Sequence, residues 1–242
     1  MKHTLGVMEN SALQQFDGQL MDGLQFCAHT YILFEAVCRE PNGREQIRMR
    51  SSKVAKLLLG ELLPICRYVQ TCYRLGRYIS VRWIDGSQSY DAELQQHGAL
   101  VDQGFFPSVA YLEATCAMHE NEHWVRYLMS QGQPTFAPEG ISTSRGMPPK
   151  SRPVAFNNDE HVRNFAQILV GLIEKKASIP YPTDTSLVVQ CYLNSLYTPE
   201  DWQLLMSKVE GDIGVLPFKE VILFDSIAER TSQMILRRRN DA

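Results

Sequence analysis

The chain has no Cys-x-x-Cys pair, no long apolar run and no excess of positive charge, and each absence removes a class. Its six cysteines (Cys27, Cys38, Cys66, Cys72, Cys116 and Cys191) fall singly inside apolar segments. That argues against a disulfide scaffold or a zinc ribbon, and for reduced, buried thiols in a cytoplasmic protein. The longest apolar runs, such as Leu57–Leu59 and Val221–Phe224, are core-sized. A membrane span needs about 18 such residues, so no membrane partner is expected. Lys and Arg number 24 against 27 Asp and Glu, a net charge of −3. Coating of bulk nucleic acid by sheer positive charge is therefore disfavoured, although a local basic groove remains open. The first residues lack the charged-then-apolar layout of a secretion signal. Repeats of fixed period, a Gly-rich phosphate loop, a Ser nucleophile elbow and a Cys–His pairing are all missing too, and no organic cofactor is expected.

What is present is ordinary globular material. With 242 residues, 44% hydrophobic and 21% charged, the chain suits one large domain with extra elements. Residues 1–50 read as an N-terminal addition, 51–131 as the core motif region, 132–153 as a long loop, and 154–242 as a C-terminal α/β part of the same domain. Residues 1–24 are weakly patterned, a loose leader or an early helix. Gln25–Cys38 is ambiguous between helix and buried strand. Ser51-Ser52 offers a cap to a helical pattern on Val54, Leu57, Leu58, Leu62, Ile65 and Val69, closed by Gly76. Pro64 inside it must kink that helix or begin a second one.

The period then changes from near four to two. Ile79, Val81 and Trp83 alternate with Ser80 and Arg82, which is a strand. Asp85-Gly86 signals a turn, and Tyr90, Ala92 and Leu94 alternate with Asp91 and Glu93 as a second strand. Val109–Ala117 is a third, with Tyr111, Glu113 and Thr115 on one face. A helix follows at about 119–130. Gln131–Pro153 is rich in Gly, Pro, Ser and Thr and reads as a loop. Asn158-Asp159 cap a helix with Val162, Phe165, Ile168, Leu169, Leu172 and Ile173 inward, and Ser186–Leu193 is a buried strand. Thr198-Pro199-Glu200-Asp201 starts a helix, and Lys219–Asp225 is the last strand. A meander followed by crossovers implies an α/β fold, a mixed sheet with helices on both faces.

The chemistry concentrates on Asp91 and Glu113. If they share a facing on adjacent strands, their oxygens converge where a helix would bury them. Buried carboxylates are paired, protonated or metal-bound, and hard oxygen donors suit Mg²⁺ or Mn²⁺. Glu61 sits on the apolar stripe of the preceding helix and points towards the sheet. The alternative is that Asp91 and Glu113 are solvated residues of a half-exposed sheet.

Glu61, Tyr90-Asp91 and Glu113-Ala114-Thr115, in the order helix, hairpin, strand, helix, resemble the PD-(D/E)xK nuclease superfamily. The stretch looks like an uncharacterised bacterial group of it with Glu-x-Thr in place of Glu-x-Lys. The likeness covers roughly residues 51–131. It implies a restriction-endonuclease-like fold and metal-dependent hydrolysis of nucleic acid. Asp91 and Glu113 would be metal ligands and catalytic residues, and Glu61 a further or water-mediated ligand. Thr115 stands where the family has its Lys, so the positive charge must come from elsewhere, with His119, His123 or Arg126 nearest, or the protein is a weak or inactive relative. The runner-up is a non-catalytic nucleic-acid- or protein-binding module on the same fold, which could also form a homo-oligomer.

A third reading comes from His119-Glu120-Asn121-Glu122-His123. On one helix, His119 and His123 would bind Zn²⁺ with Glu120 as base and Glu139 as the nearest further ligand, a zinc peptidase. Against it, Glu122 adds an unwelcome acid, and His119 and Glu120 fit the turn before the helix. Basic residues at Arg44, Arg48, Arg50, Lys53 and Lys56, and at Arg67, Arg74, Arg77 and Arg82, read first as solvated faces, with phosphate contact as the alternative for the first group. Arg145, Lys150 and Arg152 in the loop could order on nucleic acid. Arg237–Arg239 reads as a solubilising tail, and Trp83, Trp124 and Trp202 as core.

Overall fold

The structure, a computed structural model, describes residues 13–155, 157–193, 197–225 and 231–235. A seven-stranded mixed sheet organises it, in the order β1-β2-β3-β4-β7-β8-β9. β1 (Leu20–Asp22), β2 (Tyr78–Trp83), β3 (Ala92–His97) and β4 (Val109–Ala117) form an antiparallel meander. β7 (Thr185–Cys191) joins β4 in parallel, β8 (Glu220–Asp225) joins β7 in parallel, and β9 (Thr231–Ile235) closes the far edge antiparallel. The mixed sheet flanked by helices is as the patterning implies. β1 and β9, each at a sheet edge, are additions to the expected order.

One face is covered by the N-terminal helices. Gly23–Arg39 is helix α1, which settles the ambiguity of that segment. Asp22 caps it, its Oδ1 accepting from the Leu24 N–H at 2.9 Å. α2 (Gly43–Met49) follows. Ser52 then caps α3 (Lys53–Leu57) by accepting from the Ala55 N–H at 3.2 Å. Leu58–Leu62 continues as a π-turn into α4 (Leu63–Cys72), and Pro64, which lacks an N–H, sits where the wider turn gives way to the α-helix. The element ends at Cys72 rather than at Gly76, which serves the next turn with φ +80°. Leu58, Leu62, Ile65 and Val69 pack on Ile79, Val81, Trp83, Leu94 and Leu112 in one buried cluster.

The other face is covered only over its second half. α7 (Asn158–Ala177) is capped by Asn157, one residue earlier than expected. α8 (Pro199–Asp212) opens on a capping box between Thr198 and Asp201. Their apolar sides meet Leu187, Val189, Val221 and Leu223 in a second cluster. The same face of β2 and β3 stays half-exposed and polar, with Arg82 Nη1 3.3 Å from Glu93 Oε1.

Between β4 and α7 lie α6 and a small ribbon, while α5 (Ala99–Asp102) is a short turn between β3 and β4. α6 runs over Glu122–Ser130, three residues shorter at its start than the pattern suggests. The stretch read as a loop instead holds a 3₁₀ turn and a ribbon of β5 (Ile141–Ser144) and β6 (Met147–Ser151). Trp83 and Trp202 are core and Trp124 is half-buried. Arg77, read as part of a solvated basic face, is buried. Its Nε donates to Gln96 Oε1 at 2.7 Å and its Nη2 to the Tyr68 hydroxyl at 2.9 Å. All six thiols are free; Cys27, Cys66, Cys72 and Cys191 are buried as expected, whereas Cys38 and Cys116 are half-buried. Among the described residues no helix is long and apolar enough to cross a membrane. The Arg237–Arg239 tail lies outside the described residues.

Candidate functional site

The site forms where the half-open sheet face meets the end of α7. β3 and β4 pair from Gln95 opposite Val109 to Ala92 opposite Leu112, and Asp91 stands one residue beyond the last pair, next to the strand that carries Glu113. Asp91 lies just ahead of β3 and is held by three bonds, one of them from the Ile84 N–H to its carbonyl at 3.0 Å. Its own N–H donates to the Leu112 carbonyl at 2.8 Å. Its Oδ2 accepts from the Ala114 N–H at 2.7 Å. Glu113 is buried and stands opposite Leu187 of β7, on the face that α7 and α8 cover. The two acids of the motif are thus brought together.

Glu61 arrives from the π-turn on the opposite layer. Its Oε2 accepts from the Trp83 indole N–H at 2.8 Å. Burial raises its pKa, the Trp83 bond opposes this, and the Asp85 and Glu113 charges add to the rise. Burial also lifts Asp91, with Glu61 and then Glu113 as the next causes, to about 8. Three carboxyls therefore repel one another in a partly dry place.

Positive charge enters from a residue the motif does not contain. Lys176, in the last turn of α7, donates its Nζ to Glu113 Oε1. Burial raises the Glu113 pKa, and the bond and charge of Lys176 hold it back. Lys176 is also among the charges that lower Asp91 and Glu61. In sequence it is one of two lysines at a helix end, explained well enough by the helix dipole. The signal that could have found it is topological. α7 lies in the crossover from β4 to its parallel neighbour β7, so it must run back along the sheet and return its last turn to the early half of β4.

Tyr181 completes the surroundings. Its hydroxyl is buried with no hydrogen-bond partner among the described residues, and its ring packs on Phe218 at 5.0 Å. Burial, then the Glu113 and Asp91 charges, push its pKa up. Thr115 shares the Glu113 face and is half-buried; its hydroxyl makes no hydrogen bond among the described residues.

The expected accessory groups sit elsewhere. Arg126 is buried beside Glu122, with its guanidinium over the Tyr192 ring. His119 precedes α6, its Nδ1 accepting from the Asn121 N–H at 3.1 Å. His123 Nδ1 lies 2.9 Å from the Glu120 carbonyl. Glu139 faces His161 Nε2 at 3.8 Å. The helical spacing that a zinc peptidase needs does not form, because α6 begins only at Glu122.

The donor set suits a hard divalent cation in kind. It is all oxygen, and each of Asp91, Glu113 and Glu61 keeps one carboxylate oxygen without a hydrogen-bond partner among the described residues. The arrangement holds back in number: among the described residues no group of three or more His, Cys, Asp or Glu side chains is placed to hold a metal ion. The pair Asp91 and Glu113 is what the backbone fixes, and Glu61 is a neighbour through charge. Compared with family models, curated proteins and solved structures, the chain matches none.

Proposed function

We propose that the chain hydrolyses phosphodiesters of nucleic acid with the help of Mg²⁺ or Mn²⁺ held by Asp91 and Glu113, on a restriction-endonuclease-like fold. One observation carries this reading: the Asp91 carboxyl, fixed by the Ala114 N–H and pushed up to about 8 beside two further acids. Functional sites are where burial and like-charge neighbours are arranged to shift carboxyls in this way. A divalent cation there would offset the repulsion, lower the pKa of bound water and draw charge from the scissile phosphate.

The chain's own groups have separable tasks. The Ala114 N–H orients Asp91, and the Trp83 indole orients Glu61. Lys176 takes the part that Thr115 leaves vacant. Its ammonium orients Glu113 and has two further N–H donors for an attacking water or a phosphate oxygen. In the hydrolysis, water oxygen bonds to phosphorus, the ester P–O bond breaks, and the departing oxygen gains a proton.

The alternative, a non-catalytic binding module, is favoured by the lack of a third converging ligand among the described residues. Cleavage of single- and double-stranded DNA and RNA with Mn²⁺, by the full chain and by Asp91→Asn and Glu113→Gln, separates the two. Metal-dependent cleavage lost in both folded variants is the expected result. Binding without cleavage, equal in all three proteins, would leave the binding module.

A further inference from the structure

Two guanidinium groups meet on one aromatic ring beyond the carboxyl ends of β4 and β7, the end at which open α/β sheets bind ligands. Arg50 follows α2 in a left-handed conformation, φ 49°, and its Cζ lies 5.3 Å from the centroid of the Tyr192 ring. Arg126 of α6 brings its Cζ to 5.6 Å from the same centroid. The Tyr192 N–H donates to the Ala117 carbonyl at 2.8 Å, which ties that ring to the strand ends.

Among the described residues neither guanidinium has a side-chain oxygen within hydrogen-bond distance. Arg50 Nη2 is 3.8 Å from Cys116 Sγ, and Arg126 Nη2 is 3.3 Å from Met118 Sδ. Arg126 Nε donates to the Glu122 carbonyl at 3.3 Å. The nearest countercharge, Glu122 Oε1, stands 3.7 Å from Arg126 Nε. Arg50 Nε and Glu122 Oε2 are both buried with no partner among the described residues. After burial, the Arg50 charge lowers the Arg126 pKa, ahead of the opposing pull of Glu122.

A guanidinium has five donors, and sulfur is a poor acceptor. Buried charge short of oxygen acceptors is costly, and two like charges on one ring add to the cost. A tetrahedral oxyanion would satisfy the free donors of both arginines at once. Glu122 Oε2 sharpens the choice, since a carboxylate oxygen accepts only from a donor. An anion bearing P–O–H meets it; sulfate, which carries no proton, does not.

We propose that Arg50, Arg126 and Glu122 form a binding site for a phosphate that carries a proton: inorganic phosphate or a phosphomonoester such as a nucleotide's terminal phosphate. This site does not rest on the acid cluster. Cys116 lies three residues past Glu113 on β4 and on the other face of the strand, so either site can fail without the other.

The test is thermal unfolding and calorimetric titration of the full chain with phosphate, a nucleoside 5′-monophosphate and sulfate, at constant ionic strength set with chloride. Phosphate at ten times its Kd should raise Tm by about 3–6 °C, and sulfate much less. A tighter Kd for the monophosphate would name a nucleotide end as the source; equal values would name phosphate itself. Arg50→Gln should abolish the shift while keeping its fold, because Arg50 is only half-buried and its loss relieves the repulsion on Arg126. Glu122→Gln should bring sulfate level with phosphate. No saturable shift with either phosphate compound, or a shift unchanged in Arg50→Gln, would overturn the site. A phosphate preference that survives Glu122→Gln would remove Glu122 from it.

Discussion

Lys176 at the end of α7 is bonded to Glu113 in the middle of β4, across 63 residues of sequence. Neither group is more than a quarter exposed, at 25% and 8% of its side chain. The pair joins the meander half of the sheet to its crossover half.

That pairing predicts the outcome of Lys176→Met. Glu113 loses its countercharge and rises further, and Asp91 and Glu61 rise with it. Stability should fall by about 1.5–3 kcal/mol at pH 8, as for a hydrogen bond to a charged group left unmade. Metal-dependent cleavage should drop about 10²–10³-fold, and Lys176→Arg should recover part of it. Denaturant unfolding and cleavage rates check the two parts separately. A variant as active as the parent would remove Lys176 from the chemistry.

Asp91 predicts a pH dependence of defined sign. Its carboxyl titrates at about 8 in the fold against 3.8 ordinarily. Between those values the folded chain keeps a proton that the unfolded chain has lost. Stability from this group is therefore greatest below about pH 4 and flat above about pH 8. Between the two it falls by about 1.4 kcal/mol for each step of one in pH. Asp91→Asn should flatten that part of the curve and be more stable than the parent at pH 8. Mn²⁺ should stabilise the parent at pH 8 and not the variant. Urea melts from pH 4 to 9, with and without Mn²⁺, measure both, and a parent curve rising between pH 5 and 8 would contradict the burial of Asp91.

The readable parts of this fold are those whose signal is local. Ile79, Val81 and Trp83 announce β2 because a strand buries every second residue, and Thr198 to Asp201 announce α8 because caps act within one turn. Asp91 and Glu113 are legible as neighbours because each lies on or beside a locally alternating strand and the two strands are consecutive in the meander. What escapes depends on distant partners. Arg77 reads as a surface residue until Gln96 and Tyr68 supply acceptors for it in the core. β6 contains Pro148 and Pro149 and, among the described residues, pairs only with β5, so its composition is that of a loop. Arg50 and Arg126 lie far apart in sequence and meet only once α2 and α6 pack together.

His119 and His123 predict a plain negative. With His119 outside α6 and bonded to the Asn121 N–H, the two rings do not share a helical face. Purified protein should carry no stoichiometric zinc by elemental analysis. His123→Ala, at an exposed ring, should change stability by no more than about 0.5 kcal/mol. A tightly held zinc lost in that variant would restore the peptidase reading.

Tyr181 offers the sharpest separation of structure from function. Its hydroxyl is buried and unbonded among the described residues, which costs about 1–3 kcal/mol that a phenyl ring would not incur. If the hydroxyl only fills space, Tyr181→Phe should stabilise the metal-free protein and leave every other property alone. If it waits for a water or a phosphate oxygen beside Glu113 and Asp91, the same variant should still be more stable without metal. It should then lose part of the stabilisation that Mn²⁺ and a nucleic acid together give the parent, and show a raised KM. We expect the second outcome, because the loop after α7 brings the ring to the acids at the point where Lys176 also arrives. Melting temperatures of parent and variant with neither, one and both ligands decide it: a difference that stays constant across all four conditions would assign Tyr181 to packing against Phe218 alone.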